Sequence, residues 1–118
     1  MRKKIDLEGL MAEGHCSPEI AKRLAKVGVA ATWTNLTYDK DGILSPGGWI
    51  KKIQGERSEF FPAVNLYEAY MMLGEVAEGH PECFYDGAQY ILQIAGHRAT
   101  GKSKVDALCN MYLKYKET

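Results

Sequence analysis

The sequence predicts an α+β fold, in which a small, mostly antiparallel sheet of three or four strands is packed by about three helices. Three stretches of the chain repeat apolar residues at helical spacing, and the segments between them are rich in β-branched and aromatic residues. Turns that contain glycine separate these segments. The predicted order is helix, two or three strands, helix, strand and helix, which lacks the regular alternation of a parallel sheet.

The first helix is predicted to follow Ser17. Serine is a favourable N-cap, and Pro18 suits the first helical position because an N–H there would be unpaired in any case. The apolar face of this helix comprises Ile20, Leu24 and Val27. Gly28 would end the helix by adopting a left-handed conformation. Residues 1–14 favour neither a strand nor a helix, and we expect them to be loosely ordered.

Strands are predicted between the first two helices. Residues 31–38 are rich in Thr, Trp and Tyr, which favours a strand. Residues 39–42 (DKDG) predict a tight turn whose glycine has a positive φ. The returning strand would begin at residues 43–44 and would be broken by residues 45–48 (SPGG). Residues 49–53 would form a further short strand.

A second helix is predicted after Asn65. Asn65 and Glu68 have the spacing of a capping box, in which each side chain accepts a hydrogen bond from the other residue's backbone N–H. The apolar face of this helix comprises Leu66, Ala69, Tyr70, Leu73, Val76 and Ala77. Gly79 would close the helix, and residues 80–84 would form a connector. Residues 89–95 fit a helical face as well as a strand, but the glycine turns on both sides favour a strand.

The last helix is predicted over residues 103–116. Ser103 would cap it, and Asp106 stands where a capping-box carboxylate would be. Its apolar face comprises Val105, Leu108, Cys109, Met111, Tyr112 and Tyr115.

The totals indicate one domain over residues 1–118, because this length and a hydrophobic content of 46% suffice for a core. The formal net charge is zero, which argues against a dedicated nucleic-acid-binding protein. No apolar run is long enough to span a membrane, and acidic residues at positions 6 and 8 interrupt any signal peptide. We therefore expect a cytoplasmic protein with no membrane partner, whose three cysteines are reduced thiols.

One stretch matches a chemical motif. Residues 96–103 read GHRATGKS, which fits the G-x-x-x-x-G-K-S pattern of loops that bind nucleotide phosphates. The candidate phosphate-binding residues are Gly96, Arg98, Gly101, Lys102 and Ser103. A working loop would follow the first strand of a parallel sheet and would need a Mg²⁺-binding carboxylate on a later strand, which this order of elements lacks.

Simpler interpretations of these letters remain open. Glycines can end a strand and serve a turn, while Ser103 caps a helix and Lys102 is solvated. Alternatively, the start of the last helix, with Arg98, Lys102 and Lys104 nearby, would bind a phosphate or another anion without nucleotide chemistry. A basic, exposed loop around Lys102 with nothing acidic near it would favour anion binding.

A second, weaker constellation concerns zinc. His15 with Cys16, and His80 with Cys83, would supply two imidazoles and two thiols if the fold brought the pairs together. No C-x-x-C pair is present, and exposed histidines with idle cysteines explain the same residues. The sequence offers no catalytic residues and predicts no cofactor.

Several short motifs carry a resemblance to known proteins. They are SPEIAKRL at residues 17–24, YDKDG at 38–42, PA at 62–63 before LYEA at 66–69, and DAL at 106–108. In these motifs, residues 16–116 resemble a loose group of small uncharacterised proteins encoded by phages and prophages of gut bacteria. The chain departs from that group by lacking a Trp and a basic tail in the second helix, and by Asp106 where Glu is usual. The resemblance implies this order of elements and a phage origin. It implies nothing about an activity.

These observations favour a small non-enzymatic accessory or interaction protein, whose partner is another protein. An exposed patch around Trp33, Trp49 or residues 60–61 would support a protein partner. The first alternative is a phosphate- or nucleotide-binding protein that uses the loop at residues 96–103. The second alternative is a small domain clipped by zinc.

Overall fold

The computed structural model describes residues 14–46 and 60–117, and every structural statement below concerns these two ranges. Three α-helices are described, with one short 3₁₀ helix at Ala31–Trp33. The helices are α1 (Pro18–Lys26), α2 (Leu66–Val76) and α3 (Lys104–Lys116). The strands are β1 (Leu36–Asp39), β2 (Leu44–Pro46), β3 (Phe60–Ala63), β4 (Glu82–Tyr85), β5 (Tyr90–Ile94) and β6 (His97–Gly101).

The six described strands form two antiparallel sheets of three strands, in the orders β2-β1-β3 and β4-β5-β6. The predicted α+β class is confirmed, but two small sheets replace the single one. The second sheet contains two strands that the sequence did not predict: β4, where a connector was predicted, and β6, within the motif at residues 96–103. The residues of β4 are mostly exposed, so they lack the apolar alternation that indicates a half-buried strand, and β4 depends on its pairing with β5. The strand predicted over residues 89–95 is confirmed as β5.

Between α1 and β1 the predicted strand begins too early. Residues 31–33 form the 3₁₀ turn, and β1 begins only at Leu36. The Thr34 hydroxyl lies 2.7 Å from the Leu36 carbonyl and 3.1 Å from the Ala31 carbonyl, so it stabilises the bend before the strand.

The tight turn after β1 is confirmed. The Gly42 N–H donates to the Asp39 carbonyl at 3.0 Å, and Gly42 has a φ of +80°. β2 continues through Ser45 and Pro46, although the sequence predicted a break there, because edge strands tolerate proline. The strand predicted over residues 49–53 lies outside the described residues.

The first two helices begin as predicted. The Ser17 hydroxyl accepts from the Ile20 N–H at 3.4 Å, and α1 is followed by Gly28 with a φ of +99°. At α2, the Asn65 side chain accepts from the Glu68 N–H at 2.8 Å, and Glu68 accepts from the Asn65 N–H at 3.0 Å. α2 ends at Val76, three residues before the glycine that was expected to close it.

The start of α3 differs from the prediction in one hydrogen bond. Ser103 caps the helix by accepting from the Asp106 N–H at 3.1 Å. The Asp106 carboxylate does not return this bond; it accepts from the Ser17 N–H at 2.9 Å and so ties α3 to the start of α1. Aspartate is one methylene shorter than glutamate, which leaves this carboxylate available to a neighbouring helix.

α3 lies at the centre of the molecule, where it packs on β5 and β6 and also contacts α1 and α2. Its residues Cys109, Met111 and Leu113 are completely buried. The buried Cys109 thiol forms a hydrogen bond with the Cys16 thiol, and this contact, together with burial, raises the pKa of Cys109. The Tyr38 hydroxyl donates to the Cys16 carbonyl at 2.6 Å, and burial raises the pKa of Tyr38 to about 12. The core therefore holds polar groups whose partners lie inside it.

Candidate functional site

Residues 96–103 do not have the geometry of a phosphate loop. Gly96 lies with Ala95 in the two-residue turn between β5 and β6, and both residues have positive φ. The residues from His97 to Gly101 form strand β6, which pairs with β5 along its length. At about 3.3 Å per residue, the two glycines stand roughly 16 Å apart at opposite ends of the strand. Their N–H groups therefore do not converge on one point, as a phosphate cradle requires.

Gly101 and Ser103 have structural roles at the start of α3. A Cβ added to Gly101 would meet the backbone N of Ala107 and would lie 2.7 Å from the carbonyl carbon of Asp106. Glycine therefore lets the end of β6 lie against the first turn of α3, while Ser103 caps that turn. The sequence alone could not show this close approach, because it depends on how β6 and α3 pack against each other.

Lys102 has an acidic neighbour. Asp106 is 8% exposed, and burial raises the pKa of its carboxyl, while the positive charge of Lys102 opposes that rise. The condition that would favour an anion at Lys102, a basic loop with nothing acidic near it, is not met. Anion binding by this helix start stays a prediction.

Arg98 belongs to a different surface from Lys102. It lines a groove of about 470 Å³, which we call the basic groove, with Arg23, Thr100, Asn110, Lys114 and one carboxylate, Glu117. The Lys114 ammonium donates to the Arg98 carbonyl at 2.8 Å, and Arg23 forms an ion pair with Glu117 at 3.0 Å. The five predicted phosphate-binding residues are thus divided between the β5–β6 turn, the basic groove and the start of α3.

The histidine and cysteine pairs are not gathered into a metal site. Cys16 is completely buried, with its thiol 3.5 Å from the Pro62 carbonyl, and His15 forms an isolated bridge with Asn65. His80 instead lines a cavity of about 530 Å³ at the β5–β6 turn. Across residues 14–46 and 60–117, no group of three or more His, Cys, Asp or Glu side chains is close enough together to hold a metal ion.

The third cysteine, Cys83, is half-buried on β4. Burial raises the pKa of its thiol, and the nearby ammonium of Lys104 only partly opposes this. A nucleophilic cysteine has a lowered pKa, so the environment of this thiol is the opposite of an activated one.

Half of the large hydrophobic side chains that are exposed in the described residues lie on α2. Eight such side chains are exposed, and four belong to this helix (Leu66, Tyr67, Tyr70 and Met71). Tyr67, Tyr70, Met71 and Gly74 are spaced at i, i+3, i+4 and i+7 and form a single stripe, which we call the outer face of α2. Tyr67 is 73% exposed. The sequence had placed Leu66 and Tyr70 on the core side, because helical spacing shows that residues share a face without showing which face is buried.

A groove lies beside this face. It has a volume of about 290 Å³ and is lined by residues 28–30, Trp33, Met72, Glu75 and Tyr112, and we call it the Trp33 groove. Glu75 follows Met71 by one helical turn, so the groove adjoins the outer face of α2. Trp33, which the sequence proposed for a binding patch, is 41% exposed here. Residues 60–61 of β3 are only half-exposed, and Trp49 lies outside the described residues.

Comparisons with protein-family models, with curated proteins and with solved structures gave no match to this chain. The resemblance to phage-encoded proteins therefore stays a prediction. None of the described helices is long and apolar enough to cross a membrane.

Proposed function

We propose that this chain is a non-enzymatic binding protein, and that its partner is another protein which docks on the outer face of α2. The observation that carries the proposal is the exposure of Tyr67, Tyr70 and Met71 in one stripe of one helix. Tyrosine and methionine are enriched in protein interfaces, because tyrosine buries a large ring at low entropic cost and methionine adapts its flexible side chain to the partner. Contiguous exposed apolar patches on soluble proteins commonly mark such sites.

Gly74 gives independent support. It lies in the last turn of α2 on the same stripe, where glycine costs a helix up to about 1 kcal/mol relative to alanine. Apart from its chain neighbours and the helix's own backbone, no described atom lies within 4 Å of a Cβ added at Gly74, so packing within the described chain does not require glycine. A partner backbone that lies closely against the helix would require it, as small residues do wherever backbones approach.

Photo-crosslinking tests the proposal. Benzoylphenylalanine is placed at Tyr67, and the chain is expressed in the organism that encodes it and irradiated. We expect one discrete adduct with a different protein, and we expect its loss when Tyr70→Ser and Met71→Ser are added. Tyr85, which is also exposed but lies on β4, is the matched control position and should give no such adduct.

Three results would contradict the proposal. The first is that position 67 yields no adduct. The second is that positions 67 and 85 yield the same adducts, and the third is that the adduct consists of two copies of this chain. Gly74→Ala separates folding from binding, because it should raise the melting temperature and weaken the adduct. If Gly74→Ala lowered the melting temperature as well as the yield of the adduct, the glycine would be required for folding.

A second candidate function is phosphate or nucleotide binding, which the basic groove favours because three basic side chains (Arg98, Lys114 and Arg23) and only one carboxylate (Glu117) line it. Calorimetry with inorganic phosphate and with ATP–Mg²⁺ tests it. Saturable binding that is lost in Arg98→Gln would support the basic groove, whereas loss in Lys102→Ala would support the start of α3. No heat with either ligand would end this candidate.

The predicted phage origin and cytoplasmic location belong to the same proposal. The three free cysteines, two of them buried, support a reducing compartment. Fluorescent tagging of the chain in its own host would test the location directly.

A further inference from the structure

We propose that the partner inserts an arginine or lysine side chain into the Trp33 groove, where aliphatic walls and aromatic rings hold its stem and the Glu75 carboxylate pairs with its charged end. This inference rests on the proposed function and specifies the chemistry of the partner. The side chains that line the groove are apolar apart from the Glu75 carboxylate, the Tyr112 hydroxyl and the Trp33 indole N–H. A long side chain that is apolar along its stem and cationic at its tip matches this distribution.

The aromatic rings of the groove favour a cation. Trp33 is partly exposed and Tyr112 is almost buried, and the negative face of an aromatic ring attracts ammonium and guanidinium groups. In the structure itself the Lys116 ammonium lies 5.9 Å from the centre of the Tyr112 ring. This internal cation shows that the ring accepts such a contact, and it also makes Lys116 a competitor of an incoming basic group.

The negative charge of the groove is close to its rings. Burial raises the pKa of Tyr112, and the Glu75 carboxylate raises it further, which places that carboxylate within electrostatic reach of the phenol. The groove also begins at Gly28, just beyond the C-terminus of α1, but Arg23 and Lys26 in the last turn of that helix offset the negative end of its dipole. The Glu75 carboxylate is therefore the charge that stabilises a cation and opposes an anion in this groove.

Charge complementarity extends to the rest of α2. The helix contains no Lys or Arg, and Glu75 and Glu78 are exposed at and beyond its C-terminal end. A partner segment that lays apolar residues on Tyr67, Tyr70 and Met71 would therefore place its basic residue at the acidic end, beside the groove. The distance is short, because Met71 and Glu75 are one helical turn of about 5.4 Å apart.

Small analogues of the side chain test the groove without the partner. n-Butylguanidinium imitates arginine, and n-butylurea has the same shape without the charge. Binding is followed by NMR at the Trp33 indole N–H, assigned with Trp33→Phe, and at the amides of residues 28–30. We expect saturable shifts with n-butylguanidinium and at least about threefold weaker binding of n-butylurea.

Matched variants locate the charge. Glu75→Gln should reduce n-butylguanidinium binding to the level of the urea, while Glu78→Gln removes the same charge three residues further on, beyond the end of α2, and should leave it unchanged. Lys116→Gln should strengthen it by removing the competitor. All three residues are exposed, so we expect the variants to fold. Equal binding of the two probes, or equal effects of the two glutamate variants, would overturn the inference.

The proposed function fails separately from this inference. If position 67 yields the adduct but Glu75→Gln leaves it as strong as before, the partner docks on α2 without a basic anchor and only the inference is wrong. If position 67 yields no adduct, the proposed function fails, whatever the analogues do. An adduct that weakens in Glu75→Gln and persists in Glu78→Gln supports both.

Discussion

Helices α2 and α3 pack against each other and are both rich in apolar residues, yet they use those residues differently. In α3, eight of thirteen residues are buried, because this helix is covered by β5, β6, α1 and α2. In α2, four of eleven residues are buried, and the opposite side carries Tyr67, Tyr70 and Met71 in the open. Of the apolar residues, nearly all of those in α3 are therefore buried by folding, whereas half of those in α2 stay exposed. The unexplained half is the surface to which we assign binding.

Truncation of one apolar side chain on each helix should show the largest difference. Leu108 of α3 is 1% exposed, so Leu108→Ala should lower the free energy of unfolding by about 2–5 kcal/mol, from lost burial and from the cavity left behind. Met71→Ala on the outer face of α2 should change it by less than about 0.5 kcal/mol. Urea denaturation of both variants checks this.

A comparable loss in both variants would mean that the outer face of α2 is covered by the chain itself. That result would remove the basis of the proposed function. A small loss in Met71→Ala with weaker crosslinking from position 67 would strengthen it.

Two glycines sharpen the same comparison with smaller effects. Gly101→Ala places a Cβ against the backbone of the first turn of α3, and overpacking of this kind costs about 1–3 kcal/mol. Gly74→Ala on α2 meets no described atom outside its own helix and should stabilise the helix by about 0.5–1 kcal/mol. Melting temperatures of the two variants should therefore move in opposite directions. A loss of stability in Gly74→Ala would place an undescribed part of the chain against α2.

The sequence predicted the elements whose signals are local. The N-caps Ser17, Asn65 and Ser103 and the turn at residues 39–42 are confirmed, because each involves residues that are neighbours in the chain. It missed β4, whose only support is its pairing with β5. It also missed the bond from the Ser17 N–H to the Asp106 carboxylate, which joins two helices that are distant in sequence.

The candidate site was harder to predict for the same reason. The letters of residues 96–103 match a phosphate loop, but a motif does not state whether the residues between its glycines form a loop or, as here, a strand. The outer face of α2 gave a clear helical periodicity, yet periodicity assigns Tyr70 and Leu73 to one apolar stripe and cannot show that only Leu73 is buried. Exposure of an apolar residue depends on the packing of the whole chain.

The smallest expected effect is on the pH dependence of stability, and it concerns the buried carboxyl group of Asp106 at the start of α3. Burial raises the pKa of Asp106 above its ordinary value of 3.8, so the folded state binds this proton more tightly than the unfolded state. The stability that this difference contributes is fully present below pH 3.8 and is lost as the pH rises through the raised pKa. Asp106→Asn keeps an oxygen that can accept from the Ser17 N–H and has no charge to bury, so its stability should lack this decline.

Asp86, in the β4–β5 turn, is the control with the opposite sign, because the N–H groups of Gln89 and Ala88 lower its pKa. Its contribution is present above pH 3.8 and is lost as the pH falls, and Asp86→Asn should remove that loss. Denaturation of both variants between acid and neutral pH should give deviations from the parent chain of opposite slope. Parallel slopes would show that Asp106 is solvated, and that the start of α3 is as open to water as the outer face of α2.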